Sequence, residues 1–216
     1  PVSFRAGRNG LNGDTVRALV ECGYRVDGSV TPTVDWGFCD DGPDFEDAPL
    51  DCHRLEASAG ASGEEPRTLF EVPNSYGYSR RPFDRWSRVH ERLETGRIGP
   101  VRLLPLANRL GVVRRIVLTP ELGSTRDMLR LSRCLLEEGA RHLQLFLHSP
   151  TLEPGLTPYT PTRRDVDRLY ATIEAYLEGL ARIAGIEFAT MAEAEARFGD
   201  AAVADHLVPS HPTQMA

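Results

Sequence analysis

The stretch Leu143–Pro150, with the sequence LQLFLHSP, decides the fold class of this chain. Five apolar or near-apolar positions lead into His148, and Ser149 and Pro150 end the run. An apolar run this short, ended by turn residues, predicts a buried strand rather than a helix. His148 would then lie at the carboxyl end of a strand, where active sites collect in alternating α/β proteins. A purely structural histidine is an equally good interpretation of this position alone.

The sequence on either side of this stretch alternates between predicted strands and predicted helices. Strands are predicted over residues 2–4, 24–30, 68–72, 116–118 and 187–190, in addition to the run that ends at His148. Helices are predicted from about residue 15 to 22, 82 to 95, 125 to 138, 163 to 181 and 191 to 198. Strands that alternate with helices of ten to twenty residues predict an α/β fold with a mostly parallel sheet.

Local signals place the helix ends and one helix face. Asp14, Ser124 and Thr162 are each predicted to cap the amino terminus of a helix, because their side-chain oxygens can accept from free backbone N–H groups. The helix after Thr162 has the strongest apolar stripe. Its members are Val166, Leu169, Tyr170, Ile173, Leu177 and Leu180.

Residues 1–207 are predicted to form one domain, and residues 208–216 a flexible tail. Within that domain, residues 37–66 are acidic, rich in Gly and Pro, and aperiodic. This composition predicts a long loop excursion, which would act as a lid or be partly disordered.

Composition excludes some classes of function. The net charge of −6 argues against nucleic acid as a partner, since phosphate binding needs a basic surface. The four cysteines form no CxxC pair, and Cys39, Cys52 and His53 match no zinc spacing, so free thiols in a reduced compartment are favoured over a metal cluster. No apolar run approaches the ~18 residues of a membrane span, and no signal peptide is visible, which together predict a cytoplasmic protein.

Three segments together resemble the polysaccharide deacetylase family, in particular a branch found in bacterial surface-polysaccharide loci. They are residues 4–8 (FRAGR), residues 23–36 (GYRVDGSVTPTVDW) and residues 148–159 (HSPTLEPGLTPY). Their order and spacing are also similar to that branch. The resemblance implies a distorted (β/α) barrel, of which this chain would be a part, and metal-dependent removal of an N-acetyl group from a sugar.

The resemblance also implies roles for individual residues. In the family, an Asp-His-His set holds zinc or a similar cation, a neighbouring Asp acts as base, and a late histidine protonates the leaving amine. His148 matches the late histidine, and Arg5 matches the arginine that orients the base. Arg8 is predicted only as a substrate contact, because Ala6-Gly7-Arg8 departs from the family's motif.

The family's metal-bearing segments lie upstream of the Arg5 motif, and no HxxxH pattern occurs in this chain. Cys39-Asp40-Asp41-Gly42-Pro43 resembles the metal motif but lies on the wrong side of Arg5, so a metal role for Asp40 or Asp41 is disfavoured. We therefore expect no metal ligands in this chain and a zinc or similar divalent cation in the full-length protein. The missing amino-terminal segment would be this chain's partner.

Two aromatic residues are candidate substrate contacts. Trp36 fits either a stacking surface for a sugar ring or a residue packed at the rim of the barrel. Tyr159 fits either a hydrogen bond to a sugar hydroxyl or an anchor for its own loop. Arg5 and His148 both follow short apolar runs, so we expect them to converge on one cleft.

The sequence thus predicts the carboxyl-terminal portion of a metal-dependent polysaccharide deacetylase that acts on a bacterial surface carbohydrate. The alternative is a non-catalytic carbohydrate-binding or structural remnant of the same fold.

Overall fold

A computed structural model describes residues 1–37, 42–56, 68–95 and 114–199. The chain forms two compact units. Unit 1 contains residues 1–74 together with the chain from residue 188 onward, and unit 2 contains residues 75–187. The predicted α/β class with a mostly parallel sheet is confirmed.

The strands are β1 (Ser3–Phe4), β2 (Val26–Asp27), β3 (His53–Glu56), β4 (Thr68–Glu71), β5 (Tyr76–Tyr78) and β6 (Arg115–Val117). The helices are α1 (Gly13–Glu21), α2 (Phe83–Thr95), α3 (Thr125–Glu137), α4 (Arg163–Ala181) and α5 (Met191–Phe198). Two 3-10 turns cover Gly7–Asn9 and Ser149–Leu152.

Unit 1 is built on a four-stranded sheet with the order β1-β2-β4-β3. The strands β1, β2 and β4 are parallel, and β3 runs antiparallel to β4. The last residues of the three parallel strands therefore lie side by side, with Phe4 opposite Asp27 and Asp27 opposite Glu71. The carboxyl edge of the sheet thus carries two acidic side chains.

Two apolar clusters form the core of unit 1. The first is made by Leu11, Val16, Leu19, Val30, Phe45, Leu55 and Leu69, and the second by Val26, Cys52, Phe70, Val72 and Ala194. The second cluster binds α5 to the sheet, and Arg54 of β3 adds an ion pair to Glu195 of α5 at 3.5 Å. Burial of these side chains is the main force that holds the sheet and helices together.

In the described residues of unit 2, α2 and α3 pack against the antiparallel pair β5–β6, and α4 packs against α3. Its buried side chains include Tyr78, Phe83, Ile116, Leu118, Met128, Leu131, Leu135, Val166, Leu169, Tyr176 and Leu180. Trp86 of α2 is half-buried, and its indole N–H donates to the carbonyl oxygen of Arg81 at 3.2 Å. The guanidinium groups of Arg80 and Arg85 lie 5.6 and 6.0 Å from the ring of Trp86.

Two of the three predicted helix caps are confirmed. The Ser124 hydroxyl accepts from the N–H of Asp127, and Thr162 forms a full capping box with Asp165. The prediction for Asp14 is wrong, because α1 begins at Gly13 and the Asn12 side chain accepts from the N–H of Thr15 at 2.9 Å. Asp14 lies within the first turn instead.

The apolar run 143–148 was predicted to be a strand, and this prediction is wrong. The residues before His148 are half-buried and belong to none of the strands described. The backbone N–H of Gln144 donates to the Ser75 hydroxyl at 2.8 Å, and that of Phe146 donates to the Leu118 carbonyl at 3.3 Å. Because Ser75 precedes β5 and Leu118 follows β6, the run passes the end of this strand pair without extending it.

Three further predictions differ from the structure. Residues 187–190 are exposed and form no strand, and they end in Thr190, the cap of α5. The predicted loop 37–66 contains β3, whose pairing with β4 is set by distant residues rather than by local pattern. In α4, Tyr170 is 46% exposed, while Tyr176 is buried. The predicted tail 208–216 lies outside the described residues.

We expect Tyr176→Phe to destabilise unit 2. The Tyr176 hydroxyl lies 2.9 Å from the Ser132 hydroxyl, and this buried contact joins α3 and α4. Loss of a buried hydrogen bond costs about 1 kcal/mol of the free energy of unfolding. Tyr170→Phe on the exposed side of the same helix is the matched control and should leave the stability unchanged. Urea denaturation of both variants checks the prediction, and equal effects of the two substitutions would contradict it.

Candidate functional site

His148 and Glu121 form a hydrogen-bonded pair in unit 2. Nδ1 of His148 lies 2.8 Å from Oε2 of Glu121. The two side chains differ in their surroundings, because the Glu121 side chain is 2% exposed and that of His148 is 62% exposed. The pair thus has a buried carboxylate behind an imidazole that reaches solvent.

The carboxylate of Glu121 also holds the backbone next to His148. The backbone N–H of His148 donates to Oε1 of Glu121 at 2.8 Å, and the hydroxyl of Thr151 donates to the same oxygen. Partial burial raises the pKa of Glu121, but the hydrogen bonds from Thr151 and His148 outweigh it, so the pKa lies below its ordinary value. Glu121 is therefore a charged acceptor at neutral pH.

Tyr159 completes this site. Its ring stacks on the ring of His148, with the centroids 6.2 Å apart and the planes 14° from parallel. The loop that carries Tyr159 is fixed at its base, where Gly155, at φ 82°, donates its N–H to the carbonyl oxygen of Thr160. The buried hydroxyl of Thr160 donates in turn to the carbonyl oxygen of Thr151 at 2.8 Å. Of the candidate residues from the sequence, the structure thus brings His148 and Tyr159 together.

This arrangement is suited to proton transfer. A carboxylate on one ring nitrogen fixes the tautomer of a histidine and stabilises its charged form. With Nδ1–H directed at Glu121, Nε2 is the nitrogen that can exchange a proton with a ligand. Glu121 was not predicted from the sequence, since its partner lies 27 positions away and no local pattern links the two.

The other candidate residues lie in unit 1. Arg5 follows β1 directly and is exposed. Arg8 is exposed in the 3-10 turn and has a left-handed backbone, at φ 55°. Since Arg5 and His148 belong to different units, their convergence on one cleft stays a prediction.

The surroundings of Trp36 favour the packing interpretation. Its ring is half-buried against the first core cluster of unit 1. Its indole N–H donates to the buried hydroxyl of Thr31 at 2.6 Å. The indole N–H is thus bonded within the fold, and part of the ring is covered by the core. Less of the ring surface is then available for a sugar to stack on.

A second group of ionisable residues lies at the carboxyl edge of the unit 1 sheet. Asp27 and Glu71 are fully buried neighbours on β2 and β4. Asp27 accepts from the N–H of Ser29 at 2.7 Å and from the Ser29 hydroxyl at 3.0 Å. Glu71 accepts from the N–H of Val30 at 3.0 Å. Asp27 and Glu71 fall inside the predicted strands 24–30 and 68–72, but the sequence did not single out either acid, because their pairing depends on the order of the strands in the sheet.

The pKa values of the two carboxyl groups are raised to different degrees. Burial and then the charge of Asp27 raise the pKa of Glu71 well above its ordinary value. Burial also raises the pKa of Asp27, although the hydrogen bonds from Glu71 and Ser29 oppose this. Two carboxylates in contact away from water do not both ionise readily, so Glu71 keeps a proton beside the Asp27 carboxylate.

The described residues do not test the metal role considered for Asp40 and Asp41. Asp40, Asp41 and Cys39 lie outside them. Cys52 has a free, buried thiol, and Nδ1 of His53 lies 3.0 Å from the Asp51 carbonyl oxygen. Within each unit taken by itself, the described residues bring no three possible zinc donors together.

Comparisons of the chain with protein-family models, with curated proteins and with solved structures found no match. In the described part of the chain, none of the helices has the length and apolar character to cross a membrane.

We expect Glu71→Gln to flatten the pH dependence of stability. The unfolded chain releases the Glu71 proton above about pH 4.3. The folded chain keeps that proton, so the free energy of unfolding falls as the pH rises from there through the raised pKa. Glutamine has no such proton, and each unit of pKa difference corresponds to about 1.4 kcal/mol of the free energy of unfolding.

Urea denaturation between about pH 4 and about pH 8 measures how steeply the free energy of unfolding changes with pH. Glu21→Gln, at an exposed site in unit 1, is the control, and a wild-type slope in Glu71→Gln would contradict the assignment.

The opposite sign is expected for Glu121→Gln. Since the folded-state pKa of Glu121 is lowered, its contribution to stability is present above about pH 4.3 and is lost as the pH falls through the folded pKa. The stability difference between wild type and Glu121→Gln should therefore shrink as the pH falls from about 5 to about 3. Thermal unfolding at several pH values tests this, and a difference that grows on acidification would show that the carboxylate is not stabilised in the fold.

Proposed function

We propose that this chain supplies the proton donor of a carbohydrate N-deacetylase, and that His148 is that donor. The observation that carries the proposal is the His148–Glu121 pair, in which a buried carboxylate holds an imidazole that is 62% exposed. An exposed histidine that served only the fold would not need a dedicated buried carboxylate, whose removal from water is costly.

The chemistry requires a proton at a defined place. An amide cannot expel its amine efficiently until the nitrogen is protonated, and a positioned histidine performs this step. His148 would transfer the proton from Nε2, while Glu121 holds Nδ1–H and stabilises the positive charge of the ring. The lowered pKa of Glu121 keeps it ionised in this role.

Tyr159 supports a carbohydrate as the ligand. The residue is 39% exposed and its ring lies nearly parallel to that of His148, so a sugar could stack beside the proton donor or accept a hydrogen bond from the phenol. In the same proposal, Arg5 orients the base and Arg8 contacts substrate, as the family resemblance implies. The substrate is then a bacterial surface polysaccharide that bears N-acetyl groups.

The resemblance also implies zinc or a similar cation, held by a segment of a longer protein. When bound, such a cation polarises the amide carbonyl and acidifies a water molecule. This chain's own residues hold and deliver the proton. Reading the open reading frame upstream of Pro1 tests this part: an in-frame Asp-containing strand followed by HxxxH supports the enzyme.

The second candidate function is carbohydrate binding without catalysis, by a remnant of the same fold. The stacked pair of Tyr159 and His148 favours it, because an aromatic platform binds sugars without any metal. A start codon directly before Pro1 would support this candidate over the enzyme.

We expect His148→Ala, in the longer protein that carries the metal segment, to lower the deacetylation rate by about 10²- to 10⁴-fold. The melting temperature should change little, because the side chain is mostly exposed. Ser149→Ala, at the exposed neighbouring position, is the control and should keep the wild-type rate. A destabilised His148→Ala variant with normal activity per folded molecule would refute the catalytic role.

A further inference from the structure

The hydroxyl group of Thr151 is a buried donor to the carboxylate of the candidate site. It donates to Oε1 of Glu121 at 2.5 Å, and Thr151 is fully buried. The imidazole of His148 contacts the other oxygen, Oε2, at 2.8 Å. Thr151 and the ring of His148 therefore bind different oxygens of one carboxylate, so a rotation of that carboxylate would disturb both contacts.

Two neighbouring threonines fix the direction of the hydrogen bond from Thr151 to Glu121. The Thr160 hydroxyl donates its one hydrogen to the Thr151 carbonyl oxygen at 2.8 Å. The Thr157 hydroxyl donates to the Thr151 hydroxyl at 3.5 Å. The Thr151 hydroxyl thus accepts from one side and keeps its own hydrogen for Glu121. Since an ionised carboxylate only accepts, a fixed donor faces a fixed acceptor.

Thr151 also affects the charge of Glu121. Burial raises the pKa of Glu121, and the Thr151 hydroxyl is the largest of the influences that lower it, ahead of the backbone and the ring of His148. In the described part of the chain, His148 is the one titratable side chain that is hydrogen-bonded to Glu121, and Tyr159 is the aromatic residue stacked on His148. Without the hydroxyl, burial would hold a proton on Glu121 up to a higher pH.

We propose that Thr151 is a positioning residue, whose hydroxyl holds the Glu121 carboxylate in the orientation that keeps Nδ1–H of His148 bonded to it and leaves Nε2 for the ligand. The last torsion of a glutamate side chain has only broad preferences, so hydrogen bonds must set the plane of its carboxylate. A residue that orients a reacting group through a second one acts on the reaction step rather than on substrate binding. This inference rests on the proposed function and adds a residue that does not touch the substrate.

NMR spectroscopy of the chain itself tests the proposal without any substrate. In Thr151→Val, the low-field proton signal of His148 Nδ1–H should broaden or vanish through exchange with water. The ¹³C signal of the Glu121 carboxyl should titrate at a higher pH than in the wild type, because a hydrogen bond to the charged form is lost. Thr151→Ser keeps the hydroxyl and should restore both signals. If Thr151→Val does not fold, Thr151→Ala is the second variant and should show the same two changes.

Thr160→Val is the matched control for a role of Thr151 in holding the loop. Thr160 is buried like Thr151 and bonds the same loop, but it does not contact the carboxylate. Its substitution should lower the melting temperature and leave the Glu121 and His148 signals as in the wild type. The inference is wrong if Thr160→Val reproduces the spectral changes of Thr151→Val, or if Thr151→Val has the wild-type signals.

Kinetics in the longer protein that carries the metal segment provide the second readout. Thr151→Val should lower kcat by about 10- to 10²-fold and leave KM nearly unchanged, and Thr151→Ser should recover most of the rate. If His148→Ala loses activity while Thr151→Val keeps the wild-type kcat, the proposed function stands and this inference is wrong. If His148→Ala is fully active, the chain has no proton donor at this position, and both proposals fail.

Discussion

The carboxylate of Glu121 connects the parts of unit 2 that form the candidate site. It accepts from the imidazole and the backbone N–H of His148 and from the hydroxyl of Thr151. One side chain therefore sets the direction of the ring, the start of the 3-10 turn and the base of the loop that carries Tyr159. A carboxylate is suited to this task because its two oxygens have several lone pairs. The arrangement of the site depends on the geometry of this one group more than on any stretch of regular structure.

Glu71 and Glu121 show how the surroundings decide the state of the same side chain. Glu121 has donors on both oxygens and stays charged although little of its side chain is exposed. Glu71 faces a second carboxyl group, Asp27, and one backbone donor, and it keeps its proton. Burial is the largest cause of the raised pKa of Glu71, whereas the hydrogen bonds that Glu121 accepts outweigh the effect of its burial. Unit 1 thus holds a protonated carboxyl group within its core. Unit 2 instead presents a charged carboxylate that supports an exposed imidazole.

Features set by neighbouring residues were predictable from the sequence, and features set by distant ones were not. The caps at Ser124 and Thr162 depend on a side chain three positions away, so the sequence pattern contains them. The face of α4 was predicted less well. Tyr170 and Tyr176 both lie near the edge of the stripe, and Tyr176 is the one buried against α3, where it contacts Ser132. The run before His148 is apolar, as a strand would be, but apolar character alone does not supply a pairing partner. The sequence made His148 a candidate through the apolar run before it, but it did not indicate Glu121, which lies 27 positions away.

The two tryptophans of the chain are divided between the two units, with Trp36 in unit 1 and Trp86 in unit 2. Their rings have different environments, since Trp36 packs against an aliphatic cluster and donates to Thr31, while Trp86 lies beside two guanidinium groups. Indole emission depends on such surroundings, so each ring is a built-in fluorescent reporter of its own unit. A chain that retains one tryptophan therefore shows the unfolding of one unit at a time. Coincident emission changes from the two single-tryptophan chains would mean that the units unfold as one cooperative body. Separate changes would mean that the more stable unit stays folded without the other.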